Sequence, residues 1–245
     1  MPAQTEVINQ DEGLRILFEA VAGEGDGFIT VSTTPNPDWS GMRTEFFPAS
    51  DIDGVIEFVK AIPSGHQAMF GLSRRRSISA QGSRGGNKDV GYLSLIGMDI
   101  DLYDSEKPLK RLPKTLSEAL SILDSFPTPP SMVVKSGSGL HAYTFLSEEL
   151  VVNDEQSLKE AQSFVKNYYR GFAAAALPYE FDATHDISRG LRVPGTYNFK
   201  SVESRRYVQH YLQSPARVEE PELHHDIAQN THRNDQVQLQ TSDAL

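Results

Sequence analysis

The sequence contains no cysteine and a single tryptophan among its 245 residues. Without cysteine there is no disulfide and no cysteine-ligated zinc site, so we expect no zinc and favour a reducing, cytoplasmic setting. The first ten residues, MPAQTEVINQ, lack the basic and apolar segments of a signal peptide. No apolar run approaches the roughly 20 residues of a membrane span. We therefore expect no association with membranes.

Positive charge is also scarce, because 23 Lys and Arg residues stand against 33 Asp and Glu residues, for a net charge of −10. Such a chain does not coat nucleic acid by bulk attraction. Its cations are clustered, however, and one cluster consists of Arg74, Arg75, Arg76, Arg84 and Lys88. The segment 77–89 is rich in Gly and Ser, which predicts a mobile basic loop. The alternative is a solvated connector.

The apolar periodicity predicts strands and helices that together indicate an α+β or α/β sheet domain. Helices are predicted over residues 11–22, 52–62, 115–125 and 154–176. Strands are predicted over residues 28–32, 43–47, 68–72, 92–103, 131–135, 141–145 and 207–212. From residue 214 the chain is polar without a periodic apolar face, so we expect a folded domain over 1–213 and a tail or linker over 214–245.

The central strand, YLSLIGMDIDLY, ends in two aspartates, Asp99 and Asp101. Both carboxylates project from one side, because alternate side chains of a strand share a face. Two carboxylates this close repel each other unless a proton or a cation lies between them. Mg²⁺ and Mn²⁺ prefer hard oxygen ligands, so the pair is a candidate metal site. The alternative is a strand end that runs into a polar turn.

A second motif, KSGSGLH, runs from Lys135 to His141. Its small residues allow a backbone to approach phosphates closely, and N–H groups in such a turn can form an anion-binding concavity. The imidazole can donate a hydrogen bond to a phosphate oxygen. The spacing is not that of a Walker loop. The alternative is a glycine-rich hairpin with an incidental histidine.

A third block reads DATHDISRGLRVPGTYNFK and begins at Asp182. It places Asp182 and Asp186 before Arg189 and Arg192, and it ends at Lys200. Acids and bases mixed this closely can form a surface salt-bridge network of little energetic value. They can equally supply a metal ligand followed by cations that hold a triphosphate.

In this order the three blocks resemble the motifs of the archaeo-eukaryotic primase superfamily. They look most like the primase-polymerases of phages, plasmids and CRISPR-associated loci, and RVPGTYN resembles the RLPGT-x-N of mobile-element members. The resemblance covers about residues 28–212. It implies an α+β catalytic core with an α/β N-terminal module, an RRM-like module and an active site in the cleft between them. It also implies a prokaryotic, phage or plasmid setting.

The resemblance implies a template-dependent nucleotidyltransferase that makes and extends primers by a two-metal mechanism with Mg²⁺ or Mn²⁺. The catalytic, metal-binding carboxylates would be Asp99, Asp101 and Asp182. Asp186 is the alternative third carboxylate; otherwise it would pair with Arg189 or Arg192. The implied nucleotide-binding residues are Lys135, Ser136, Gly137, Ser138, His141, Arg192 and Lys200. The implied template-binding residues are Arg74, Arg75, Arg76 and Arg84.

The implied partners are a single-stranded DNA template, a primer and a dNTP or NTP, with a helicase on the same or a separate chain. Many relatives carry a helicase region after this core, so we expect a truncated core or a stand-alone enzyme. Three other functions compete with a primase-polymerase: a primer-dependent repair polymerase, a replication-initiator module that binds DNA, and a metal-dependent nuclease. The three acids count against the binding module, and the nuclease leaves SGSGLH and RVPGTYNFK unexplained.

Overall fold

A nine-stranded sheet with helices on both faces is the frame of the protein. The computed structural model describes residues 9–79, 83–103, 111–182, 185–198, 206–207 and 209–211. The strands are β1 (Phe28–Thr34), β2 (Arg43–Pro48), β3 (Gln67–Gly71), β4 (Arg74–Arg75), β5 (Val90–Asp101), β6 (Met132–Lys135), β7 (Gly139–Val151), β8 (Gly190–Arg192), β9 (Tyr197–Asn198), β10 (Arg206–Tyr207) and β11 (Gln209–Tyr211). The helices are α1 (Gln10–Ala22), α2 (Ile52–Lys60), α3 (Leu116–Ser125) and α4 (Glu155–Ala175).

The sheet runs in the order β11-β6-β7-β5-β4-β1-β3-β8, and β2 also pairs with β1. Neighbouring strands are antiparallel, and β9 with β10 forms a separate two-stranded sheet. Because β7 lies between β5 and β6, the unit β5-α3-β6 is a split β-α-β arrangement. The predicted α+β class is therefore confirmed.

Two hydrophobic cores lie on opposite faces of the sheet. Helices α1 and α2 cover one face, and α3 and α4 cover the other. Strand β6 contributes to both cores, since Met132 and Val134 face the first and Val133 faces the second. The sheet is continuous through the pairing of β4 with β5, and the first core takes residues from both of its ends, such as Phe70 and Met132.

Each helix begins at a side chain that accepts a hydrogen bond from the first turn. These caps are Asn9, Asp51, Thr115 and Asp154. The structure differs from the prediction in β7, which continues to Val151 because its second half still pairs with β5. The predicted strand over 207–212 is divided between β10 and β11, and the predicted tail over 214–245 lies outside the described residues. None of the helices within the described ranges is long and apolar enough to cross a membrane.

Candidate active site

The carboxyl end of β5 brings the first two sequence motifs together. In the register with β7, Asp99 lies opposite His141 and Asp101 lies opposite Gly139. Between the two aspartates, Ile100 is fully buried in the core beneath α3 and α4. Asp99 and Asp101 therefore share the other face of the strand, as the alternation of side chains requires.

The turn between β6 and β7 packs directly against this strand end. Ser136 N–H donates to the carbonyl of Gly139 at 2.9 Å, and Leu102 N–H donates to the carbonyl of Ser138 at 3.3 Å. Gly137 has a φ of +97°, which favours glycine. A Cβ at position 139 would clash with the carbonyl of Ile100. The glycines thus allow the turn to lie beside the two aspartates.

Two arginines of the third block lie on the same site. Arg189 Nη2 is 3.5 Å from Asp99 Oδ2, and the Arg192 guanidinium lies 5.5 Å from the centre of the Trp39 ring. Burial lowers the pKa of Arg192, an effect that Asp99 and Asp101 oppose by raising it. A cationic pair therefore faces the two carboxylates.

Asp182 and Asp186 occupy different surroundings. Asp182 and Asp99 both line a cavity of about 150 Å³ between β5, α4 and the following segment. Asp186 instead accepts hydrogen bonds from the N–H and the hydroxyl of Ser188, both at 2.9 Å. Arg189 pairs with Asp99, so the expectation that Asp186 pairs with Arg189 or Arg192 is wrong. The neighbouring Ser188 satisfies Asp186 locally.

A divalent cation of this kind needs several oxygen ligands around one point. Among the residues that the structure describes, no group of three or more Asp, Glu or His side chains is arranged to hold a metal ion. Asp99, Asp101 and Asp182 are therefore not a preformed three-ligand site. Mg²⁺ commonly takes one or two carboxylates and completes its octahedron with water and substrate phosphates. The adjacent pair of Asp99 and Asp101 fits that requirement.

His141 is buried and neutral. Its Nε2 lies 3.8 Å from Asp99 Oδ1, and its Nδ1 lies 3.3 Å from the Tyr143 hydroxyl. Burial, followed by the charges of Arg192 and Arg189, lowers the pKa of His141 to about 3. Burial and Asp99 raise the pKa of Tyr143, so its hydroxyl keeps its proton. Because its own pKa is lowered, His141 is not a cation for phosphate at neutral pH.

This environment makes stability depend on pH. The folded-state pKa of His141, about 3, lies below its ordinary value of 6.5, so only the unfolded state takes up this proton between these values. The free energy of unfolding should therefore decrease as the pH falls from 6.5, by up to about 1.4 kcal/mol per unit for one group. Urea unfolding between pH 6.5 and 5, where most carboxylates stay ionised, should show a weaker pH dependence in His141→Gln than in the wild type. Equal slopes would contradict this assignment.

Two arginines of the basic cluster lie in a buried strand. Arg74 and Arg75 form β4, ahead of the predicted loop over 77–89, and each is 0% exposed, so neither offers a surface to the implied template. Arg75 donates to the Ser73 hydroxyl at 2.7 Å and to the Ser188 carbonyl at 3.0 Å. Arg84 is partly buried against Met69. The Ser188 carbonyl lies 113 residues from Arg75 along the chain, so the local sequence does not reveal this contact.

The other residues predicted to bind template or nucleotide differ in their exposure. Of the four arginines, Arg76 is exposed, and it donates to the carbonyls of Asn153 and Lys88. Lys135 is half-buried and Ser136 is buried. Lys200 lies outside the described residues. Trp39 is a further residue beside the site, and the sequence signals that mark it are that it is the only tryptophan and that it follows the turn-forming run Pro-Asn-Pro-Asp.

No protein-family model matches the sequence, and no curated protein is similar to it. Among solved structures, the crystal structure of primase RepB′ superposes with a TM-score of 0.53 at 14% identity, over 96% of this chain and 67% of the other. The catalytic domain of primase RepB′ in complex with initiator DNA gives 0.53 at 13% identity, over 95% and 99%. The primase-polymerase AEP domain of cyanophage S-2L gives 0.49 at 12% identity, over 83% and 90%.

Proposed function

We propose that this chain, which has the fold of primase RepB′, is a nucleotidyltransferase that makes primers on single-stranded DNA and extends them. One observation carries the proposal. Three segments distant in sequence meet at the end of β5: the carboxylates of Asp99 and Asp101, the turn that ends at Gly139, and the guanidiniums of Arg189 and Arg192. Phosphoryl transfer requires this combination of metal ligands and cations.

Asp99 and Asp101 would hold Mg²⁺ or Mn²⁺, with Asp182 as a further ligand from the adjoining cavity wall. When bound, two such ions would neutralise charge on the reacting phosphates and stabilise the oxygen that attacks the phosphorus. The chain itself contributes the position of the carboxylates. The register with β7 and the buried Ile100 fix the end of β5, so both aspartates are held on one face before a ligand arrives.

Arg189 and Arg192 would hold the triphosphate. The Nε atoms of both are buried and have no hydrogen-bond partner within the described residues. A buried donor without an acceptor is costly unless a ligand or water satisfies it. Planar guanidiniums suit phosphate oxygens, to which they can donate two parallel hydrogen bonds. The Arg189 side chain is 31% exposed, so its terminal N–H groups can reach an anion beside the carboxylates.

Lys166 and Arg170 replace the buried arginines as candidates for template contact. Both are exposed on α4 and line the cavity that also holds Asp99 and Asp182. They lie one helical turn apart, so their charges point the same way. Within the described residues neither forms an ion pair, whereas Lys159 on the same helix is paired with Glu155 at 2.8 Å.

This placement predicts how DNA affinity depends on salt. Each phosphate contact to a single strand contributes about −0.7 to the slope of log K against log salt, so losing two should flatten it by about 1.4. Fluorescence anisotropy with labelled single-stranded DNA should show this for the variant K166Q/R170Q. The matched control is Lys159→Gln, whose charge Glu155 already neutralises. If the slope is unchanged in the double variant, the template follows another surface.

The proposed function is tested by incubating the protein with single-stranded DNA, labelled nucleotides and Mn²⁺ or Mg²⁺ without a primer. Products longer than one nucleotide support primer synthesis. Incorporation that requires an added primer would leave a primer-dependent polymerase. DNA binding without incorporation under either condition would contradict the enzyme and leave a binding module, and shortening of a labelled strand would indicate a nuclease.

A further inference from the structure

Trp39 has an unusual backbone conformation for its size. Its φ is +63°, and within the described residues it is the one non-glycine with a positive φ. This region is uncommon for bulky side chains, and such residues persist where the surrounding structure determines them. The ring is only partly buried. A half-exposed aromatic ring in this conformation requires an explanation beyond core packing.

The loop that carries Trp39 is firmly attached to the sheet. Thr34 Oγ1 donates to the carbonyl of Ser40 at 2.6 Å, and Asn36 Nδ2 donates to the same carbonyl at 3.0 Å. The buried Gln67 of β3 donates to the carbonyls of Asn36 and Pro37 at 2.9 and 3.0 Å. The loop is therefore held by the strand that pairs with β8, and β8 carries Arg192.

The indole ring faces the guanidinium of Arg192. The distance of 5.5 Å between the guanidinium carbon and the ring centre falls in the range of a cation–π interaction. Arg192 is a largely buried cation whose Nε has no hydrogen-bond partner within the described residues. A flat ring against a flat guanidinium restricts the directions in which its N–H groups can point.

We propose that Trp39 is a positioning residue that holds the Arg192 guanidinium in the orientation needed to bind the triphosphate of the incoming nucleotide. This inference rests on the proposed function. The rigid loop supplies the ring, the ring orients the cation, and the cation faces Asp99 and Asp101 across the site. Removing the ring should therefore weaken nucleotide binding, with little effect on the later chemical step or on DNA affinity.

Kinetic variants separate this role from simple packing. Trp39→Leu removes the π face, and we expect KM for the nucleotide to rise about tenfold while kcat changes by less than about twofold. Trp39→Phe retains an aromatic face and should recover part of the loss. The matched control is Met42→Ala, an exposed side chain in the same loop, which should leave KM unchanged. The DNA affinity of all variants should equal that of the wild type.

The single tryptophan also gives a readout that needs no catalysis. Inorganic triphosphate added with Mg²⁺ should change the fluorescence of Trp39 in the wild type, and the change should be lost in Arg192→Gln. If Trp39→Leu does not fold, this titration and Trp39→Phe still decide the question. The inference is overturned if Trp39→Leu has the KM of the wild type, or if it loses DNA affinity and not nucleotide affinity. It is also overturned if triphosphate leaves the fluorescence of the wild type unchanged. Triphosphate-dependent emission without nucleotide incorporation would uphold it and reject the proposed enzyme.

Discussion

Asp99→Asn is expected to reduce nucleotide incorporation at least about 10³-fold, equivalent to about 4 kcal/mol of transition-state stabilisation. The substitution keeps the size of the side chain but removes the charge that would hold a divalent ion. It also removes the partner of Arg189. We expect incorporation on a primed single-stranded template to fall to background with Mg²⁺ and with Mn²⁺, while DNA affinity stays close to that of the wild type.

A second carboxylate provides the matched control. Asp53 also pairs with an arginine, Arg15, at 2.6 Å, but this pair lies on the exposed surface of α1 and α2. Asp53→Asn should therefore leave incorporation unchanged and alter stability by less than about 1 kcal/mol. Wild-type incorporation in Asp99→Asn would exclude Asp99 as a metal ligand. A similar loss in both variants would indicate an indirect effect through folding.

The stability of the Asp99 variant also carries information. From the sequence alone, removal of one of two repelling carboxylates could raise the melting temperature. The structure changes this expectation, because Asp99 faces Arg189 and also raises the pKa of Arg192. Neutralising Asp99 leaves two cations with less compensation, so we expect no gain in stability. Thermal unfolding without added metal measures this directly.

Much of the fold could be predicted from local pattern. The apolar periods identified the four α-helices of the described residues, and the strand that ends in Asp99 and Asp101 was identified from its alternation. These features depend on residues that are close together in the sequence, so the sequence alone is sufficient to predict them. Recognising three ordered motifs added the expectation that they meet. The register that sets Asp99 opposite His141 is a property of two strands and required the structure.

The failures share one physical cause, which is pairing between residues far apart in sequence. The cluster at Arg74 reads as a basic loop because its acidic partner, Glu149, lies in β7. The contact between Trp39 and Arg192 depends on the pairing of β3 with β8. Charge counts show that cations are present but not whether they are exposed.

The second large effect concerns stability at the junction between the two ends of the sheet. Arg74 forms an ion pair with Glu149, and their side chains are 0% and 5% exposed. Glu149 also accepts a hydrogen bond from Ser94 at 2.7 Å, and the guanidinium of Arg74 lies 4.7 Å from the centre of the Tyr92 ring. Burial lowers the pKa of Arg74 to about 10, which leaves it charged at neutral pH.

Glu149→Ala should lower the free energy of unfolding by about 3–5 kcal/mol, because it leaves Arg74 buried without its counter-charge. Chemical denaturation at pH 7 measures the change. The variant R74M/E149L removes both charges and restores apolar volume, so it should be less destabilised than Glu149→Ala. That ordering is the feature that distinguishes an uncompensated buried charge from a simple loss of contacts.

An exposed pair on α4 provides the control for this prediction. Lys159 and Glu155 are 2.8 Å apart, but their side chains are 64% and 81% exposed. Lys159→Ala should change the free energy of unfolding by less than about 1 kcal/mol, since water replaces the lost partner. A change in Glu149→Ala as small as that in Lys159→Ala would mean that water reaches Arg74 after the substitution. The double variant R74M/E149L could instead prove less stable than Glu149→Ala. That result would show that the attraction between Arg74 and Glu149, and not the cost of a buried unpaired Arg74, determines the stability of the junction between β4 and β5.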